Sequence, residues 1–429
     1  MNKGTFVAAG TIVVSGLCVM TAGAPFSSPA AASRLAAGSA TAKTKATTTL
    51  PTVTEIPPGT GEHGYPYDAA PQTPVIPEAP SIDLTAAGYA EEEFLMSGTT
   101  NIYQQSGLWL SNGKWNVSVA QSGVPYTTRL LVRYPTNPAD FNGTVVVEWL
   151  NDTTGGDQDP VWAQVDNELV DNGFAYVGVT AQNAGMADLK TWDPARYGSL
   201  GDTGDGQSYD IFTQAAEVAR ADTDGLLGGL TPTEVIGTGD SQSAFRVDTY
   251  VNALQPLTHA FNGFLAVGRS AVDAPIGSGL LATGPIPSLV RTDNTAPFLE
   301  INTQGDIEEL DAGLARQTAN TDLRIWEVTG ASHIDDHEAA YELETVYREQ
   351  PNVAIPNCAL GTPIEGTGTL LDGINQADDM PLYEVEDAGV AALQKWVTQG
   401  IAPPQPSSLS TTPLFGFDLV DTNQYGLAS

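Results

Sequence analysis

The sequence predicts an α/β fold, a mostly parallel central sheet flanked by helices. Two observations carry this expectation. Short β-branched, apolar runs alternate along the chain with stretches whose apolar residues recur at helical spacing. Near the middle, one such run, Val235 and Ile236, leads into Gly239, Asp240, Ser241, Gln242, Ser243 and Ala244 and then into the helix-like residues 245–251. Parallel strands need crossover connections, usually helices, so this alternation selects a parallel sheet over an antiparallel meander.

Taken in order, Tyr126 to Tyr134 alternates as a half-buried strand does. Thr144 to Trp149 is a continuous β-branched run suited to a strand buried on both faces. A polar turn follows, then a helical stretch from Val161 to Val170 with Asn172 and Gly173 as its stop signal. Phe174 to Thr180 reads as the next strand. Tyr209 to Leu227 reads as a long helix, with Ile211, Ala215, Val218 and Ala219 on one face. Pro297 to Asn302 and Leu323 to Val328 complete the strands. Residues 183–206 and 269–291 are candidate lid insertions.

The ends of the chain read differently. Lys3, the uncharged apolar stretch Phe6 to Met20 and the small residues Ala30, Ala31 and Ala32 are expected to form a signal peptide over 1–32, which makes the protein secreted. Residues 33–80, rich in Ala, Thr, Ser and Pro, read as a spacer, 81–405 as the folded domain and 406–429 as a tail. Removal of the signal leaves Cys358 as the one cysteine, a structural or incidental thiol, so no intrachain disulfide is expected. With 17 Lys plus Arg against 51 Asp plus Glu, the formal charge is −34, which argues against nucleic acid or an anionic membrane as partner. The apolar stretch is too short for stable membrane insertion. Acidic runs such as Glu91, Glu92 and Glu93 read as solvated faces.

A serine on a sharp turn between strand and helix, flanked by small residues, is the geometry of a nucleophile elbow, so Ser241 is the candidate nucleophile. The usual G-x-S-x-G pattern is altered here, with Ser243 in place of the second glycine. An α/β-hydrolase fold demands an acid and then a histidine after the serine, each just beyond a strand. Asp306 follows the strand ending at Asn302, and His333 follows the strand ending at Val328. The imidazole takes the serine's proton, and the carboxylate fixes its tautomer and stabilises its charged form. Glu308 and Glu309 are alternatives for the acid. A rival reading makes His333 and His337, with Asp335 and Asp336, metal ligands, although no H-E-x-x-H glutamate is present. The oxyanion hole is expected from the backbone N–H of Gln242 and that of Asn151, in the glycine-rich turn after Trp149; Asn151 is equally readable as a turn residue or glycosylation acceptor.

These stretches add up to a resemblance. Residues 146–151 with Trp162, residues 176–182, the segment Ser241, Gln242, Ser243, Ala244 with residues 250–254, and the carboxyl-terminal Leu393, Trp396, Gly400, Pro403 and Pro404 resemble the α/β-hydrolase-domain family of largely uncharacterised, esterase-like proteins. The resemblance implies Ser241 as nucleophile, His333 as base and Asp306 as acid. This chain departs from the family pattern at Gln304, where an acidic residue is expected, and at Asn262 before Gly263, where Asp-Gly is common. The resulting expectation is a secreted serine hydrolase that cleaves a small-molecule or lipid-like carboxylic ester through an acyl-enzyme, with no cofactor. Acyl transfer by the same residues, and an inactive hydrolase-like binding protein, are the alternatives.

Overall fold

The computed structural model describes residues 50–56, 82–201, 204–276, 284–294, 296–341, 378–414, 417–423 and 428. All of them belong to one compact unit, Thr49–Ser429. The expected signal peptide, most of the spacer and Cys358 lie outside the described residues.

Strands β1 (Thr52–Ile56), β2 (Tyr89–Ser106), β3 (Asn116–Pro135), β4 (Thr144–Trp149), β5 (Ala175–Val179), β6 (Glu234–Asp240), β7 (Gly263–Val267), β8 (Phe298–Thr303) and β9 (Leu323–Val328) join in one sheet. Their order across it is β1-β2-β3-β5-β4-β6-β7-β8-β9. From β5 to β9 all neighbours are parallel, while β1, β2, β3 and β5 pair antiparallel. Every residue of β4, β5, β7 and β8 is buried, including Glu148 of β4 and Glu300 and Asn302 of β8; β7 was not among the expected strands.

The pleat sends successive side chains into two separate cores. Val145, Val147 and Trp149 face a core built with Tyr209, Phe212 and Tyr250 of helices Ser208–Arg220 and Gln242–Ala253. Val146 faces the other, with Trp162 of helix Pro160–Asp171 and Leu393 and Trp396 of helix Leu382–Gln399. The strand order reverses beside β4, so the carboxyl ends of β4 and β6 flank the crevice where ligands bind in open α/β sheets.

Several expectations change. The spacer supplies an edge strand, with Thr52 opposite Ser97 and Ile56 opposite Glu93. The tail contributes a hairpin, β10 (Thr411–Leu414) with β11 (Phe417–Val420), tied to Glu308 by the Val420 N–H. Glu91 and Glu93 are not a solvated face: Glu93 is 1% exposed and accepts from Arg129 Nε at 2.7 Å, and Glu91 accepts from Arg133 Nε at 2.8 Å. The helix expected through Leu227 stops at Arg220, because Asp222 and Asp224 take left-handed conformations and the Asp222 carboxylate accepts the Leu227 N–H at 2.7 Å. The candidate lid at 183–206 contains helix Asn183–Trp192, and its Met186, Leu189, Tyr197 and Leu200 are part of the first core. Among the described residues no helix is long and apolar enough to cross a membrane.

Candidate active site

β6 ends at Asp240 and helix Gln242–Ala253 starts one residue beyond Ser241. The chain makes that turn by forcing Ser241 to φ 49° and ψ −119°, a conformation that costs an L-residue of the order of 1–3 kcal/mol and persists only where its surroundings impose it. Here they do. The Ser241 N–H donates to the Val267 carbonyl at 3.0 Å, and its own carbonyl accepts the Phe245 N–H at 3.1 Å. Gly239 leaves room for the helix, since a Cβ there would sit 2.8 Å from the Ser243 carbonyl carbon. Ser243, standing where the pattern has glycine, is a fastener: its hydroxyl donates to the Asp240 carbonyl at 2.8 Å and accepts the Asp240 N–H at 2.9 Å.

His333 arrives on the loop after β9, and Asp306, expected on a loop, is the third residue of the short helix Gln304–Glu309 that follows β8 directly. His333 Nε2 lies 2.9 Å from Ser241 Oγ, and Nδ1 lies 2.5 Å from Asp306 Oδ1. Asp306 is fully buried and locked by a capping box: its Oδ2 accepts the Thr303 N–H at 2.6 Å, while its own N–H donates to Thr303 Oγ1 at 3.0 Å. Only Oδ1 is therefore left to face the imidazole. With Nδ1–H committed to that oxygen, Nε2 is the acceptor for the serine hydroxyl. Glu308 instead accepts the Val420 N–H at 2.9 Å. Burial pushes the Glu309 carboxyl up to about 7, with His333 pulling it down and Asp306 and Glu308 raising it further.

The electrostatics of His333 follow from this acidic setting. Burial lowers its pKa, but the Asp306 charge and hydrogen bond, with Asp240 and Glu309 adding their fields, outweigh that and hold it up at about 9. Asp240 was not expected near the histidine. Its carboxyl is pushed up to about 7, by burial first, against the pull of His333 and with a further push from Asp306. The signal was present in the sequence as an acid directly before the nucleophile, a position that reads equally well as an ordinary turn cap.

The oxyanion-hole expectation is half corrected. Gln242, first residue of its helix, has an N–H outside the i→i−4 ladder, and its side-chain Nε2 donates to Gln182 Oε1 at 3.0 Å, an oxygen that also accepts the Trp149 indole N–H at 2.9 Å. The Asn151 N–H, by contrast, is spent on the Gln158 carbonyl at 2.9 Å. Asn151 acts through its side chain: Nδ2 donates to the Asp240 carbonyl at 3.1 Å and Oδ1 accepts the Thr153 N–H at 2.8 Å. At 6% exposed it is also inaccessible to a glycan.

His337 does not join His333 around a shared site. Its Nε2 bonds the Ala163 carbonyl at 3.0 Å and its ring lies 4.8 Å from that of Tyr383. Among the described residues no group of three or more His, Cys, Asp or Glu is arranged to hold a metal ion.

A family model described as "Alpha/beta hydrolase domain" matches residues 53–425. The chain belongs to the alpha/beta hydrolase domain family. Among solved structures, it is similar to an alpha-beta serine hydrolase homologue from Coxiella burnetii at 13% identity, covering 52% of this chain and 92% of that one with a TM-score of 0.33. An α/β serine hydrolase without lid from Xanthomonas campestris matches at 15% identity over 57% and 94% of the two chains, TM-score 0.31. The esterase Est22 matches at 10% identity over 61% and 79%, TM-score 0.33. No curated protein matches the chain.

In this hydrolase the histidine is also fitted against two glycines. A Cβ on Gly268, at φ +61°, would lie 2.9 Å from His333 Cε1 and 3.1 Å from Nδ1, and one on Gly305 would lie 2.8 Å from the His333 backbone nitrogen. Gly268→Ala therefore displaces the imidazole and strains the backbone. The expected loss is about 10²-fold in kcat, the scale for misplacing a catalytic group by an ångström, with about 1–3 kcal/mol of stability. Steady-state kinetics beside urea unfolding measure both; an unchanged kcat contradicts the packing described.

Proposed function

We propose that this alpha/beta hydrolase is a secreted serine esterase that cleaves a small-molecule or lipid-like carboxylic ester through an acyl-enzyme. The observation that carries the reading is the unbroken chain from Ser241 Oγ to His333 Nε2, and from Nδ1 to Asp306 Oδ1, on a serine held at positive φ. In the forward step Ser241 Oγ attacks the ester carbonyl carbon while Nε2 takes its proton. The tetrahedral oxyanion faces the Gln242 N–H at the positive end of its helix. Collapse breaks the bond to the alcohol, which leaves with the proton from Nε2. Water then attacks the acyl carbon as it gives a proton to Nε2, and collapse breaks the bond to Ser241 Oγ, which takes that proton back as the acid leaves. Secretion rests on Lys3, the apolar stretch Phe6 to Met20 and the small residues up to Ala32.

The test is covalent labelling together with the pH profile. A fluorophosphonate is expected to modify Ser241, mapped by peptide mass spectrometry; modification at another serine overturns the assignment. Only the neutral imidazole accepts the serine proton, and the folded site raises its pKa above 6.5 towards about 9. Activity is then lost as pH falls through the raised value, not through the ordinary one. The acid limb of kcat/KM on a p-nitrophenyl ester is expected above pH 6.5, giving an alkaline optimum. A limb centred below 6.5 contradicts the field assigned to the site.

A further inference from the structure

The residue before the nucleophile has no part in the relay just described, yet it is among the most firmly held in the molecule. Three hydrogen bonds fix the Asp240 backbone: its N–H to Ser243 Oγ at 2.9 Å, its carbonyl from the Ser243 hydroxyl at 2.8 Å, and the same carbonyl from Asn151 Nδ2 at 3.1 Å. The side chain of Asp240 is buried, 5% exposed. Its direction is read from Gly268: the point where a Cβ would stand there is 3.1 Å from His333 Nδ1 and 3.4 Å from Asp240 Oδ2. The imidazole and the Asp240 carboxylate thus converge on one gap, kept open by the missing side chain.

We propose that Asp240 is a positioning residue of this site, a second carboxylate built into the elbow that faces the gap at Gly268 shared with the His333 ring and stabilises the charged form of that ring as it takes the Ser241 proton. The proposal rests on the hydrolase reading above. Asp306 already occupies Nδ1, so Asp240 acts through its field, not by replacing that hydrogen bond. The other charged groups around the histidine are Asp306 and Glu309, both on helix Gln304–Glu309. Behind Asp240 stands Glu386 of helix Leu382–Gln399, 1% exposed, whose two carboxyl oxygens have no hydrogen-bond partner among the described residues. Its pKa is held well above the usual range by burial first and then by Asp240, Asp335, Asp306 and Asp387.

Asp240 and Glu309 thus add to the field of Asp306 at the imidazole, and the loss of one such charge is expected to change the pKa of His333 by roughly one pH unit. A purely structural Asp240 and one that acts on His333 predict different results. In the full chain, Asp240→Asn keeps the shape and removes the charge. The acid limb of kcat/KM is then expected to move down by about one pH unit, with kcat at the plateau falling about tenfold and KM unchanged. Glu309→Gln, made beside it, shifts the limb less. A lower melting temperature with an unmoved limb assigns Asp240 to the elbow's structure alone and overturns the proposal.

A second measurement reads the same effect without turnover. With ¹³Cε1-labelled histidine, the pKa of His333 is expected to fall by about one pH unit in Asp240→Asn, or in Asp240→Ser should the asparagine variant fail to fold. An unmoved His333 pKa overturns the proposal. Neither the resonance nor its titration depends on turnover, so absence of fluorophosphonate labelling in the wild type counts against the hydrolase reading and not against the coupling of Asp240 to His333.

Discussion

Ser241→Ala is expected to lower ester turnover by about 10⁴–10⁶-fold while leaving the fold in place. The size of the loss follows from what the hydroxyl does. Without Oγ no covalent intermediate forms, and the residual rate is that of water held beside the Gln242 N–H. The fold survives because the turn is fastened by atoms other than Oγ: the Ser241 N–H on the Val267 carbonyl and the Ser243 hydroxyl on both polar groups of Asp240. Ser243→Ala is the control. It removes two hydrogen bonds from a buried turn, for about 1–3 kcal/mol of stability, but no reacting atom, so its effect on kcat is expected to be far smaller. Kinetics on a p-nitrophenyl ester beside thermal unfolding separate the two. Equal losses of kcat in both variants contradict the assignment of Ser241.

What the sequence revealed divides along physical lines. β4 and β9 were readable to the residue, and β5 and β8 to within one at each end: β4, β5 and β8 because strands buried on both faces are mostly apolar along their length, β9 because Leu323, Ile325 and Val328 mark its buried positions. Ser241, Asp306 and His333, which the structure brings within hydrogen-bond distance of one another, were singled out by their chain order relative to strands that were themselves readable. β1 was hidden for the opposite reason. Its hydrogen bonds go to β2, with Thr54 opposite Leu95, and nothing within Thr52–Ile56 records that partner. The same holds for Glu93, which looks like part of a solvated acidic run until Arg129 and Arg196 arrive from β3 and from the segment after helix Asn183–Trp192.

The site shows the same limit at finer scale. The types of its reacting side chains are chemical requirements, so spacing and order expose them. The path of a loop backbone is not. The N–H of Asn151 was expected to be free for an oxyanion, and the bridge to Gln158 that consumes it is a property of the folded turn. Asp240 was overlooked because its meaning depends on Gly268, which is far away along the chain and adjacent only after β6 and β7 have paired.

Asp306→Asn is the second large effect, and its direction follows from the capping box. In the native site Oδ2 accepts the Thr303 N–H and Oδ1 accepts from His333 Nδ1. An asparagine has one oxygen, and the Thr303 N–H claims it. The amide NH₂ is then turned towards Nδ1, which must accept, so the imidazole proton moves to Nε2. That nitrogen can no longer take the proton of Ser241, and the charge that stabilises the imidazolium is gone as well. A loss of about 10³–10⁴-fold in kcat is expected, with the helix cap and therefore the fold retained. Glu308→Gln is expected to be mild in activity, because that carboxylate serves the Val420 N–H of the terminal hairpin. Glu309→Gln removes a field, not a hydrogen bond to the ring, and is expected to shift the pH profile more than the plateau. Full activity in Asp306→Asn, with a large loss in Glu309→Gln, would transfer the role of acid to Glu309 and leave Ser241 and His333 where they stand.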